Sequence, residues 1–242
     1  MSGHSKWSTI KRQKGATDIK KGKTFTKISN AITIAVKQGG GIGDPDQNFR
    51  LRLAIDAAKM ANMPKENIER AIKRATTKEE GNIEEVIYEG FTPGGKISLI
   101  IEAATDNSQR TTAAIKSIFN KAGAHFGQPG SVAYQFRQVG QIIVNKKDKS
   151  FDEIFEQAVD LGVEDVEDLG EEVFIYTNVA NMKKIKDMLT EKGIEVIESE
   201  ITRIPINPVS LEEDPQLKAR VESFIESMDE LDDVQKVYSN LE

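Results

Sequence analysis

The 242-residue chain has no cysteine and only two histidines, His4 and His125. The first absence excludes disulfides, thiolate metal sites and thiol nucleophiles, and it fits a reducing compartment. The second leaves too few imidazoles for a histidine-rich metal site, so no metal or cofactor is expected. Long apolar runs are missing as well. Stretches such as Leu99-Ile100-Ile101 fall far short of the roughly 20 residues that a membrane-crossing helix needs. No apolar segment follows the basic start as a secretory signal requires, and Ser2 stands where N-myristoylation needs glycine. These absences point to a cytosolic protein.

What the chain has is charge, unevenly placed. The whole molecule carries a formal net charge of −6, yet the first 27 residues hold eight Lys/Arg against one acid, Asp18. Residues 1–78 carry 17 Lys/Arg and 6 Asp/Glu, whereas residues 79–242 carry 16 and 33. A basic head on an acidic body suits a polyanion at one end and repels it at the other. A solvated lysine-rich arm beside an acidic domain is the plainer alternative.

Periodicity divides the chain in the same place. Phe25, Ile28, Ile32, Ala35 and Val36 recur at helical spacing until Gly39-Gly40-Gly41 stops them. A second helix is expected over 49–62, capped by Asn48, and a third begins around Pro64 with Ile68, Ala71, Ile72 and Ala75 as its apolar stripe. On that third helix Glu66 with Arg70 and Glu69 with Lys73 are spaced for i, i+4 ion pairs. From residue 84 the pattern changes to alternation. A hairpin is expected through Thr92-Pro93-Gly94-Gly95, then a helix over 108–122 capped by Asp106 and Asn107, then a strand opened by Gly130 in which Val132, Tyr134 and Phe136 share a face. That β-β-α-β order lacks one helix and one strand.

A complete β-α-β-β-α-β cycle follows over 139–204: strand 141–145, helix 151–161, strands 164–168 and 173–177, helix 180–192 and strand 195–203. The tail supplies a helix at 215–228 and a strand at 234–239. Its Val221, Phe224 and Ile225 stripe has too little to bury against alone, so the tail is expected to return and complete the first sheet. The fold class expected is α+β: an N-terminal three-helix head (1–78) plus two ferredoxin-like α/β domains, one (139–204) inserted into the other (79–138 with 205–242).

Catalytic motifs fail one by one. Gly22-Lys23-Thr24 resembles the end of a P-loop, but Thr17 occupies the position of the required first glycine and no strand precedes it. Asp44-Pro45-Asp46-Gln47-Asn48 begins like a calcium loop, but Phe49 and Ile55 replace its glycine and its bidentate glutamate. No G-x-S-x-G is present, and His125 falls between a helix and a strand. No catalytic, cofactor-binding or metal-binding residue is assigned. What remains is the arm, whose Lys6, Trp7, Lys11, Arg12, Lys14, Lys20, Lys21, Lys23 and Lys27 are the candidate nucleic-acid contacts. Cationic side chains neutralise phosphates without reading sequence, and Trp7 either stacks on an exposed base or tethers the arm to the helical head.

Several stretches together resemble the YebC family. They are Gly3-His4-Ser5-Lys6-Trp7, Phe25-Thr26-Lys27, the triple glycine with Asp44-Pro45, Asn62-Met63-Pro64 with Ile68-Glu69-Arg70-Ala71-Ile72, Tyr88-Glu89-Gly90-Phe91, Thr105-Asp106-Asn107 with Arg110-Thr111, Gly130-Ser131-Val132-Ala133-Tyr134 and Asp233-Val234-Gln235-Lys236-Val237-Tyr238. Phe49 departs from a proline frequent in that family. The resemblance implies three domains and no catalytic residues, in a family of bacterial probable transcriptional regulators and the mitochondrial translational activator of cytochrome c oxidase subunit I. Two functions are therefore expected: a DNA-binding transcriptional regulator or a ribosome-associated translation factor that binds ribosomal RNA through the same arm. The acidic α/β domains would meet basic ribosomal or transcription proteins. An interaction protein whose arm binds an acidic protein is a third reading.

Overall fold

The computed structural model describes residues 18–77 and 83–242. Three helices come first: α1 (Asp18–Gln38), α2 (Phe49–Met60) and α3 (Lys65–Thr77). The expected stripes meet in one core, where Ile32, Val36, Leu51, Ala58, Ile68 and Ala71 are buried and Phe25 and Ile28 pack against them. The glycines end α1 because Gly40 and Gly41 adopt positive φ of 73° and 84°, a backbone that other residues reach only with strain. Asn48 then does more than cap α2. Its Oδ1 accepts from the Leu51 amide at 3.1 Å, while its Nδ2 donates to the carbonyls of Ala35 at 2.9 Å and Ile42 at 3.1 Å. One buried side chain thus closes the glycine loop onto α1, and the helix starts well without a proline at Phe49. Pro64 sits just outside α3, its carbonyl accepting from the amides of Asn67 and Ile68.

The rest of the chain runs β1 (Glu84–Phe91), β2 (Ser98–Thr105), α4 (Ser108–Ala122), β3 (His125–Phe126), a 3-10 turn (Ala133–Gln135), β4 (Phe136–Asn145), α5 (Phe151–Val159), β5 (Asp165–Leu169), β6 (Glu172–Thr177), α6 (Met182–Glu191), β7 (Glu195–Pro205), α7 (Pro215–Asp229) and β8 (Val234–Ser239). The strands form two four-stranded sheets, ordered β3-β1-β2-β8 and β5-β6-β4-β7. Described residues 18–136 and Pro205–Glu242 form one compact unit, and Arg137–Ile204 form the other.

In the second unit the chain follows β-α-β-β-α-β with β4 and β6 paired antiparallel at the centre, which is the split βαβ arrangement. In the first unit β1 and β2 form the central antiparallel pair, and the returning β8 pairs with β2, as the stripe on the tail requires. Val221, Phe224, Ile225 and Met228 of α7 are all buried against Ile115 and Phe119 of α4 and the Leu99, Ile101 and Ala103 face of β2. Burial of such side chains contributes about 1.5–3 kcal/mol each, which a separate tail helix would forgo. The spatial order matches the inserted sheet, but the strand equivalent to β6, β1, precedes β2 in the chain instead of following the edge strand β3.

One expectation is corrected. Residues 130–136 do not form a strand of the first sheet; that edge is the two-residue β3, and the segment turns through Ala133–Gln135 before Phe136 opens β4 of the inserted sheet. The reason is Glu89. Its buried carboxylate accepts from the amides of Gly130 at 2.6 Å, Val132 at 2.7 Å and Ala133 at 2.9 Å. Donors that a strand would have paired with a neighbour are already satisfied. The segment instead packs Val132 and Phe136 over Ile100 and Tyr238, covering the opposite face of β2.

Candidate nucleic-acid interface

The last third of the basic arm is helical, because α1 begins at Asp18 and carries Lys20, Lys21, Lys23 and Lys27. The rejected P-loop fragment Gly22-Lys23-Thr24 is therefore helix and not loop. Lys6, Trp7, Lys11, Arg12 and Lys14 lie outside the described residues. Lys23 and Lys27 reach the C-terminal end of α7. Lys23 Nζ donates to the Glu230 carbonyl at 3.2 Å and lies 3.7 Å from Asp232, and Lys27 Nζ donates to the Asp229 carbonyl at 2.6 Å and lies 3.6 Å from its carboxylate. Cations there satisfy free helix carbonyls and the negative end of the helix dipole. Side-chain exposure separates the two: Lys23 remains 52% exposed and Lys27 19%, so Lys23 is the freer to exchange its partner for a phosphate.

Farther along α1 the helical head and the first sheet enclose a cleft of about 1140 Å³. One wall is the polar stripe of α1, with Thr26, Ser29, Asn30, Thr33 and Lys37. The second is α3, with Asn67, Arg70 and Arg74 at i, i+3 and i+7, one side of the helix. The expected pairing of Glu66 with Arg70 is not what the structure holds. The i, i+4 pair on this helix joins Lys65 to Glu69 at 3.5 Å, and Arg70 has no ion pair among the described residues.

The third wall is the junction of β2, α4 and β8, organised by Asp233. Its carboxylate accepts from Thr111 Oγ1 at 2.6 Å, from Thr105 Oγ1 at 3.3 Å and from Arg110 Nη2 at 3.0 Å, and Arg110 also donates to Asp106 at 2.9 Å. The Arg110 guanidinium is held above its ordinary pKa by its hydrogen bond to Asp233 and that charge, then by Asp106. Asn107 caps α4 through the Arg110 amide at 3.0 Å. Both acids of the cleft are thus engaged with Arg110, and Lys37, Arg70 and Arg74 are the other charged residues that line it.

Sequence reasoning missed this cleft. Its walls come from residues as distant as Phe25 and Asp233, and no periodicity encodes their meeting. The available signal was that Phe25-Thr26, Met63, Arg70-Ala71, Thr105-Asp106, Arg110 and Asp233 all stand in the stretches that resemble one family. Asp44 and Asp46, from the rejected calcium loop, are occupied locally: Asp44 accepts from the Asp46 amide at 2.9 Å, and Asp46 pairs with Arg52 at 2.7 Å. His125 opens β3 and is exposed, its ring 6.3 Å from that of Phe91. Among the described residues no helix is long and apolar enough to cross a membrane.

Comparison with known proteins covers nearly the whole chain. Residues 5–78 match the family model described as the TACO1/YebC protein N-terminal domain, and residues 83–241 match that of the TACO1/YebC second and third domain. A probable transcriptional regulatory protein of Trichlorobacter lovleyi is 46% identical over 246 residues, covering 100% of this chain and 96% of that protein. The probable transcriptional regulatory protein CT1665 of Chlorobaculum tepidum is 46% identical over 244 residues, covering 100% and 95%. Among solved structures, the conserved hypothetical protein Aq1575 from Aquifex aeolicus superposes with a TM-score of 0.83 at 39% identity, over 93% of this chain and 91% of that one.

Proposed function

Since the chain belongs to the TACO1/YebC family, we propose that it is a non-enzymatic, cytoplasmic nucleic-acid-binding regulator of gene expression, with its relatives' names pointing to a DNA-binding transcriptional regulator. The observation that carries the nucleic-acid reading is the basic arm, eight Lys/Arg against one Asp in residues 1–27, running directly into α1. Such an arm supplies backbone contacts and neutralises phosphates. We keep the three-domain division of head (1–78), composite domain (79–138 with 205–242) and inserted domain (139–204). The acidic α/β domains, repelled by bare nucleic acid, are assigned to basic protein partners.

One observation favours the second reading, a ribosome-associated factor that binds ribosomal RNA. Arg70 and Arg74 of α3 line the cleft. A recognition helix that reads duplex DNA must instead present such side chains outward to the major groove. Crosslinking in cells followed by sequencing of the attached nucleic acid separates the two. Discrete promoter fragments support the transcriptional reading, and recovery of ribosomal RNA replaces it with the translational one.

A further inference from the structure

The cleft runs along α1 from Phe25 to Lys37, about 18 Å at 1.5 Å per residue. Its volume of about 1140 Å³ is room for a few unpaired nucleotides and not for a duplex segment of the same length. A double helix, wider than its own major groove of about 12 Å, does not fit in that volume, whereas one strand with its bases unstacked does. The bridges that hold the channel open stand near its ends. Lys27 meets the end of α7 at one side, and at the other Lys37 Nζ donates to the Ile83 carbonyl at 2.8 Å while Gln38 Nε2 donates to Glu85 at 2.7 Å.

Resting on the nucleic-acid reading above, we infer that this cleft takes a short unpaired stretch of nucleic acid, with phosphates on the α3 wall and bases against α1. Arg70 and Arg74 stand about one helical turn, 5–6 Å, apart, a step that neighbouring phosphates of an extended strand can follow. Ser29 and Asn30 on the opposite wall, and Asn67 beside the arginines on α3, make no side-chain hydrogen bond among the described residues. Asparagine carries a donor and an acceptor side by side, as a base edge does. Phe25, packed on the core of the helical head, is half-buried and closes the α1 wall with an apolar surface. The arm would bind any phosphate backbone, so the cleft is what distinguishes a single strand from a duplex.

The test is fluorescence anisotropy of the full chain with labelled single-stranded RNA, single-stranded DNA and a duplex of equal length, across a salt series. The double variant Arg70→Ala/Arg74→Ala should lose about tenfold or more in affinity for single strands, and its salt slope should fall by about 1.4 log units for two phosphate contacts. Duplex affinity should stay within about twofold, because the arm is untouched. Ser29→Glu, which adds a negative charge at the opposite wall, should repeat the loss on single strands alone. Unchanged single-strand affinity in both variants, or equal losses on single strand and duplex, overturns the cleft assignment while the arm stands. Neutralising Lys11, Arg12, Lys14, Lys20, Lys21 and Lys23 tests the arm separately: duplex binding should collapse and a residual preference for single strands should persist. Wild-type chain that binds none of the three probes removes the nucleic-acid reading and the cleft assignment together.

Discussion

Glu89 shows how one side chain redirects a chain segment. It lies in β1, it is 5% exposed, and its two oxygens accept three backbone amides from Gly130, Val132 and Ala133. Charge-assisted bonds of this kind are about twice as strong as neutral ones. Glu89→Ala leaves three donors without their acceptor and should lower stability by about 2–3 kcal/mol, read as a fall in the urea midpoint. Glu89→Gln should recover only part of the loss, since its amide nitrogen has no acceptor role. The neighbouring Gly90 is fixed by space, because a Cβ there would come within 2.6 Å of the His125 carbonyl and of the Phe119 ring. The alternation of β1 announced neither residue's task. Both depend on partners that arrive from about 30 to 40 positions further along the chain.

Helices were more legible than strands at the scale of the element. The helix over Ser108–Ala122 and the strand over Val234–Ser239 have the bounds that caps and alternation indicate, because their signals are local. The segment 130–136 misled, because alternating apolar residues describe a cover over a sheet as well as a strand within one. The inserted domain has a local device with a pH signature. Ser150 and Glu153 form a capping box at the start of α5, in which Glu153 accepts from the Ser150 amide at 2.7 Å and its hydroxyl at 2.9 Å. These bonds, the backbone one first, hold the Glu153 carboxyl below the usual range. A depressed folded-state value means that the contribution is present above the unfolded-state pKa and is lost as pH falls through the folded one. Ser150→Ala should move the Glu153 titration, followed by NMR, back toward the ordinary carboxylate value and lower the thermal midpoint at neutral pH. The difference between the variant and the wild type should shrink as both are acidified.

Charge asymmetry is a property of the whole molecule, and its test is ionic strength. The six-residue change at Lys11, Arg12, Lys14, Lys20, Lys21 and Lys23 should flatten the salt dependence of binding by about 0.7–0.9 log unit for each phosphate contact removed. An unchanged slope would move the binding surface away from the arm. Trp7→Ala should weaken binding to single strands more than to duplex if the ring stacks on a base, whereas equal losses would leave it the tethering role. The contacts of Lys23 and Lys27 with Asp229, Glu230 and Asp232 add a whole-molecule consequence: the body already supplies anions to part of the basic face. Nucleic acid must displace the Lys23 partner to use that lysine, while Lys27 is too enclosed to exchange readily.

By itself the sequence determined the element order outside residues 123–136, the three apolar stripes of the head, the return of the tail and the segregation of charge. Each of these is written in spacing or composition over a few turns of chain. Tertiary structure alone decided where the 130–136 segment goes, which lysines are already paired, and that α1, α3 and the Asp233 junction enclose a cleft. Those outcomes rest on contacts between residues up to about two hundred positions apart, such as Lys27 with Asp229. Such contacts are set by which buried donors find acceptors once the cores have formed, and no local pattern records that choice.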